Sequence, residues 1–468
     1  MNKELRRILI ILTSICTLFV SLIVYMSYFQ IFRAEAVKNN SYNKRLWIDE
    51  EKILRGSIID RNGKILAYSE KSNDDIYKRF YNYGGLYSHI IGYSYREYGK
   101  VGLELEYNNI LLNIDETTPF HELKSIVKPN TEGNTLKLTI DHHLQEYSRG
   151  LLGGKKGAIV AMDPKTAEVY AMVSFPDFNL SNLREEWNDI MEDEDKPFFN
   201  RATSGAYIPG STFKVLTAMA ILEDLDPNSQ YECTGSVTID GRTINDYEGR
   251  AHGKVNLEEA LVKSCNSYFA SKGVQVGKDR LGKLAGDFMI NRQIPFDIPA
   301  AISTFPNKEN LGKVDIAAAS IGQGKVLMTP LNMALVVSGI ANKGEVLQPT
   351  LVKEIISPEG EIIQNNEMEK ISNGVSIFTA NEIKNMMVEV VRRGTGTNAG
   401  IQNTRVAGKT GTAENPSGKS HAWFAGFAPA DDPRIAVVVV LEEAGSTGGK
   451  AAAPIARNIM VEALNTLE

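Results

Sequence analysis

Three short clusters beyond residue 200 of the chain carry side chains suited to acyl transfer. Ser211-Thr-Phe-Lys214 pairs a hydroxyl with an amine, Ser264-Cys-Asn266 sets a second hydroxyl near a carboxamide, and Lys409-Thr410-Gly411-Thr412 places a lysine ahead of small residues. A hydroxyl becomes a nucleophile when a neighbouring base takes its proton, and an unprotonated lysine amine is such a base. Three residues apart on a helical turn, the two side chains share one face. Each cluster alone is a weak signal. Ser-x-x-Lys also occurs at Ser41/Lys44 and Ser125/Lys128, and Ser-x-Asn at Ser41/Asn43, whereas Lys-Thr-Gly occurs once. Their order and local setting give them weight.

Ser211 follows Tyr207-Ile208-Pro209-Gly210. Proline biases Ile208 away from helix and glycine permits a tight entry, so a helix should begin near Ser211. Phe213, Val215, Leu216, Ala218, Met219, Ala220, Ile221 and Leu222 make it apolar nearly all round, as in a helix buried inside a large domain. Burial and the positive helix end both lower the Lys214 ammonium pKa. The same helix start aims backbone N–H groups at the space where an oxyanion would form.

Ser264 and Asn266 fall within the amphipathic stretch 257–273 or at a break in it. Ser264 is placed to relay a proton between an amine and a leaving group, Asn266 to hold a substrate amide, and Cys265 to point into the core. Val406 to Thr412 reads as a strand of small residues, where an extended peptide can approach or add to a sheet edge. Lys409 would supply positive charge for a terminal carboxylate. The Thr412 N–H would be a second oxyanion donor beside that of Ser211.

The elements that must position these residues are legible in outline. Residues 157–162, 169–174, 423–427 and 434–441 are strand-like, and helical periodicity covers 211–225, 257–273, 379–392 (with Thr379 as N-cap) and 454–467. Strands at both ends with helices between predict an α/β domain over residues 151–468, an antiparallel sheet flanked by helices on both faces. Ahead of it, Ile58, Ile59, Ile65 and Leu66 flank Asn62-Gly63, a hairpin signal. Up to about Arg149 the chain reads as irregular, and residues 33–150 are expected to form a polar stalk over 38–52 and a small β-rich pedestal.

No charged residue occurs between Ile8 and Phe32, and Lys3, Arg6 and Arg7 precede this run. Ile8 to Tyr28, at ~1.5 Å per residue, matches a bilayer core of ~30 Å. Residues 1–32 are expected to be a cytoplasmic stub and a retained transmembrane helix, with the remainder exported. Ala34-Glu35-Ala36 resembles a signal cleavage site, but the apolar run exceeds the ~7–15 residues of a signal peptide.

Composition narrows the field further. The chain has 468 residues, 43% hydrophobic and 23% charged, as in folded proteins, and at ~150 residues per domain it should form about three units. With 51 basic against 57 acidic side chains the net charge is −6, which disfavours nucleic acid as a partner. Only Cys16, Cys233 and Cys265 are present, without a CxxC, a His/Cys cluster or an HExxH. Neither a disulfide framework, a metal site nor a cofactor is expected.

Taken together, the motifs resemble those of the class B penicillin-binding proteins, the monofunctional peptidoglycan transpeptidases. The likeness extends through Arg55-Gly-Ser-Ile-Ile-Asp60-Arg-Asn62-Gly63, Gly102-Leu-Glu104, Asn200-Arg201-Ala202, Pro209-Gly210 before Ser211, Ile321-Gly-Gln-Gly324 with Thr329-Pro330, Gly394-Thr-Gly396-Thr, and His421-Ala-Trp423-Phe424-Ala-Gly426. The resemblance implies that Ser211, deprotonated by Lys214, attacks a stem peptide ending in D-Ala-D-Ala and passes the acyl group to a neighbouring amine. Ser264 would shuttle the proton, with Asn266, Lys409, Thr410, Gly411 and Thr412 binding substrate, and β-lactams would acylate Ser211. It also implies a polytopic glycan-polymerase partner. Competing readings are a D,D-carboxypeptidase, a β-lactam-binding sensor or scaffold without turnover, and a class A β-lactamase. The last lacks its Glu-x-x-Leu-Asn setting, the nearest text being Glu309-Asn310-Leu311.

Overall fold

The computed structural model describes residues 3–32, 50–72, 76–114, 131–306, 311–415 and 418–467. Most of the expected stalk, the Ala34–Ala36 stretch and Glu309-Asn310 lie outside them. Lys3–Phe32 is one continuous helix whose apolar side chains are exposed along its length. By length and composition it can cross a membrane.

The pedestal is built on a six-stranded sheet in the order Ile362–Asn365, Val352–Ile356, Thr135–Leu138, Ile58–Ile59, Ile65–Lys71, Tyr77–Tyr81. The Asn62-Gly63 hairpin forms as expected, with Gly63 at φ +87° and Asp60 Oδ1 accepting the N–H groups of Asn62 and Lys64. Two of the six strands come from residues 352–365, and the helix His142–Leu152 spans the expected division at residue 150.

The stretch read as irregular is organised by a charge that periodicity cannot reveal. Glu104 is fully buried and accepts 2.6 Å bonds from Arg55 Nε and Arg79 Nε, while Arg55 Nη2 donates to the Glu104 carbonyl. Burial alone would raise its carboxyl pKa, but the Arg79 and Arg55 guanidiniums outweigh that and hold it below the usual range. Glu104→Ala leaves two guanidiniums without their counter-ion and should destabilise the pedestal by about 3–5 kcal/mol. Urea unfolding of the two proteins checks this, and an unchanged midpoint would show that the triad contributes no net stability.

The second sheet has five strands, all antiparallel, in the order Ala407–Ala413, His421–Ala428, Ile435–Leu441, Gly157–Met162, Val169–Phe175. The first and last parts of the domain thus meet at its centre, as the sequence predicts. Ile435, Val437, Val439 and Leu441 point to one core while Ala436, Val438 and Val440 point to the other. Both faces are covered, so period-two alternation reads as one unbroken apolar run. Ala407–Ala413 is an edge strand of this sheet.

Two helical expectations are corrected, and the break considered for 257–273 is found at Ser264. Ser376, not Thr379, caps Ile377–Arg393, its Oγ accepting from Thr379 N at 3.0 Å. The last helix starts at Gly448 rather than Pro454, because its first turn packs against the Lys-Thr-Gly strand. A Cβ on Gly448 would fall 2.3 Å from the Gly411 carbonyl oxygen. The stretch 257–273 is two helices, Leu257–Lys263 and Asn266–Val276, broken where Ser264 adopts φ +58°.

Candidate active site

Ser211 sits on a tight turn, Gly210–Thr212, directly before the helix Lys214–Asp224. That helix is buried from Lys214 through Ile221, as its apolar composition requires. The turn is fixed on several sides. Gly210 N donates to Gly322 O at 2.9 Å, Thr212 Oγ1 to Pro209 O at 2.8 Å, and Trp423 Nε1 to Ile208 O at 3.2 Å. Gly210 has φ +54°, and a Cβ there would come within 2.9 Å of the Thr412 carbonyl oxygen. Glycine is therefore needed for both conformation and approach, and Ser211 is held beside the Lys409–Thr412 strand. Ser211 is half-buried, and its Oγ hydrogen-bonds to no described residue.

Lys214 is fully buried, and its three donors all run to the broken-helix segment: to Ser264 O at 2.6 Å, Ser264 Oγ at 3.3 Å and Asn266 Oδ1 at 2.6 Å. Lys409, also fully buried, donates to the same Ser264 Oγ at 3.0 Å and to Thr410 O at 3.1 Å. One hydroxyl thus bridges two amines. The left-handed backbone of Ser264 allows this, turning its carbonyl and hydroxyl together toward Lys214. Burial lowers the Lys214 ammonium to about 8, and burial followed by the nearby Lys214 charge pushes Lys409 well below its ordinary value.

Asn266 holds Lys214 rather than presenting a free amide, since its Nδ2 donates to Asn245 O at 2.8 Å. Asp246 supports it from below, accepting Asn266 N at 2.5 Å. Thr410 Oγ1 donates to Thr395 Oγ1 at 2.7 Å, and Thr412 Oγ1 accepts from Gly448 N at 3.2 Å. Gly411 admits no side chain, because a Cβ would lie 2.7 Å from the Pro209 carbonyl oxygen. All eight residues singled out from the sequence therefore belong to one neighbourhood.

Sequence reasoning missed several participants. Asn245, Asp246 and Thr395 act through pairings that no local spacing announces. The expectation of no His/Cys cluster is also corrected: Cys233, His252 and Cys265 converge with Asp246, brought together from separate strands and a helix start.

A buried Ser-x-x-Lys helix under an antiparallel sheet, with a second serine bridging to a lysine of the edge strand, is the arrangement of active-site-serine acyl-transfer domains. The penicillin-binding protein transpeptidase domain matches residues 157–461, and the penicillin-binding protein A dimerisation domain matches residues 55–136. The chain is 32% identical to the peptidoglycan D,D-transpeptidase PbpA of Mycolicibacterium smegmatis over 99% of both proteins. It is also 32% identical to the MrdA transpeptidase of Haemophilus influenzae, over 89% of this chain and 73% of that protein. The ceftriaxone acyl-enzyme complex of penicillin-binding protein A from M. tuberculosis superposes with a TM-score of 0.83 at 29% identity, covering 89% of this chain and all of that one. The chain belongs to the class B penicillin-binding proteins.

Proposed function

We propose that this chain is a peptidoglycan D,D-transpeptidase, working through a serine acyl-enzyme that β-lactams also form. The observation that carries the reading is the bridge Lys214–Ser264–Lys409 behind a half-buried Ser211 whose Oγ bonds to no described residue. Lys214, neutral in part near pH 8, takes the Ser211 proton as Oγ attacks the carbonyl of the penultimate D-alanine. The Ser211 and Thr412 N–H groups stabilise the oxyanion, and Ser264 returns the proton to the departing D-alanine amine. An amine of a second stem peptide then attacks the ester, forming the cross-link and freeing Ser211. Lys409, with Thr410 and Thr412, binds the donor carboxylate, whose charge favours the Lys409 ammonium that burial opposes. Gly411 lets the substrate backbone approach the edge strand.

The test uses full-length protein in detergent with a D-Ala-D-Ala-terminated pentapeptide and a labelled amine acceptor. Release of D-alanine with incorporation of the amine supports transpeptidation. Release without incorporation marks a carboxypeptidase, and a stable β-lactam adduct without either marks a sensor.

The pH dependence follows from Lys214. A base with its pKa lowered to about 8 makes acylation rise about tenfold between pH 7 and pH 9 and then level off. A stopped-flow profile with benzylpenicillin checks this, and a rate still climbing steeply past pH 10 would mean an unshifted base.

The same reading places Lys3–Phe32 in the membrane as a single span. Lys3, Arg6 and Arg7 keep the N-terminus cytoplasmic, and the catalytic part lies outside. A three-part organisation over 1–32, 33–150 and 151–468 goes with it, as does a polytopic glycan polymerase as partner of the anchor and pedestal.

A further inference from the structure

Four side chains that carry out no step of the acyl transfer converge beside Ser264. Cys233 ends the strand Tyr231–Cys233, Asp246 precedes the turn Tyr247–Gly249, His252 precedes the strand Gly253–Val255, and Cys265 caps the helix Asn266–Val276. The two strands pair antiparallel with Cys233 opposite Gly253, which brings the thiol to the imidazole of His252. One donor atom from each of the four residues lies within 4.8 Å of all the others. Cys233 Sγ is 3.3 Å from Asp246 Oδ2 and 3.5 Å from His252 Nδ1, and His252 Nδ1 is 3.7 Å from Asp246 Oδ1.

Each of these three separations, of which the two to Asp246 run to its different oxygens, is of the length of an edge of a small coordination tetrahedron. Cys265 Sγ lies within 4.8 Å of the other donors, so a small closing movement around an ion would complete it. With metal–sulfur bonds of ~2.3 Å and metal–nitrogen or metal–oxygen bonds of ~2.0–2.1 Å, ligand atoms stand about 3.3–3.8 Å apart. Two thiols, an imidazole and a carboxylate form a donor set suited to zinc, too soft for magnesium or calcium. Cys233, Asp246 and Cys265 are buried and His252 is half-buried, so the centre is sheltered from solvent. Outer hydrogen bonds already orient the ligands: Tyr268 N donates to Cys265 Sγ at 3.4 Å, and Asn266 N to Asp246 Oδ1 at 2.5 Å.

We infer that Cys233, Asp246, His252 and Cys265 form a closed, four-coordinate zinc site that fixes the Ser264–Asn266 segment. On binding, the two thiols lose their protons to solvent and the ion takes one donor from each residue. No position is left open, so the ion plays no part in the acyl transfer. Its effect is positional. Cys265 stands between Ser264 and Asn266, the two residues that hold Lys214, so tethering its sulfur sets the backbone that aims them.

The test is made on the full-length protein in detergent, purified without chelator and dialysed against metal-free buffer. Elemental analysis should find close to one zinc per chain, falling by about tenfold in Cys265→Ser and His252→Ala. Because such variants can misfold, the unmutated protein is also stripped and reloaded with cobalt(II). Thiolate-to-cobalt charge-transfer bands and intense visible absorption, as in tetrahedral sites, are expected. Chelation should lower the melting temperature by on the order of 5 °C, restored by zinc. Absence of retained zinc together with a featureless cobalt spectrum overturns the inference. So does a mass lower by two hydrogens, which marks a Cys233–Cys265 disulfide. Protein that neither retains zinc as purified nor binds cobalt, yet forms the benzylpenicillin adduct, refutes the metal site alone, whereas zinc-loaded protein without an adduct refutes the acyl-enzyme reading alone.

Discussion

Ser211→Ala should take up no benzylpenicillin, while the unmutated protein gains one adduct mass that persists for many minutes. The hydroxyl makes no hydrogen bond to a described residue and is half-buried, so its removal should cost less than ~0.5 kcal/mol of stability. The loss is therefore chemical. Without Oγ there is no ester to form, and acylation should fall by at least about 10⁴-fold. Intact mass spectrometry on both proteins, with matched melting curves, reads both quantities. An adduct of unchanged yield in the variant would place the nucleophile elsewhere and dissolve the constellation. An adduct on the unmutated protein that vanishes within seconds, with antibiotic consumed beyond the amount of enzyme, would make this a β-lactamase.

Lys214→Met should form the same adduct about 10³-fold more slowly. Methionine fills nearly the same volume without the amine, so the buried helix keeps its packing. The variant leaves Asn266 Oδ1 and the Ser264 carbonyl without the lysine that they hold at 2.6 Å, at a cost of about 1–3 kcal/mol. That cost is smaller than the kinetic effect and separable from it by melting temperature. The rise in rate between pH 7 and pH 9 should also disappear, because its titrating group is gone. A variant that acylates at the original rate with the original pH profile would mean that Lys214 only braces Ser264. The base would then have to be sought at Lys409, which shares the same hydroxyl.

Much of this site was legible in the sequence for a definite reason. Ser211 and Lys214 lie on one turn, so their spacing is fixed by local geometry, and Pro209-Gly210 announces where the turn begins. The strand Ile435–Leu441 declares itself by an unbroken apolar run, and its neighbours follow. Residues that act across long sequence separations were hidden. Glu104 reads as an ordinary charged residue until Arg55 and Arg79 are folded onto it. Asp246 sits in a polar stretch with no periodicity, yet it anchors Asn266. Pro330–Ala341 is wholly buried, and a helix buried on all sides has no amphipathic signature to detect. Cys233 and His252 are nineteen residues apart in no recognised metal pattern, and only the antiparallel register of two short strands joins them.

The pedestal sheet imposes an order on the chain's own assembly. Its Thr135–Leu138 strand pairs on one side with Ile58–Ile59 and on the other with Val352–Ile356. The second partner leaves the ribosome some two hundred residues after Thr135–Leu138 itself. At ~5–20 residues per second that edge stays bare for roughly 10–40 s, long enough to recruit another chain. The pedestal is therefore completed only when most of the catalytic domain has been synthesised.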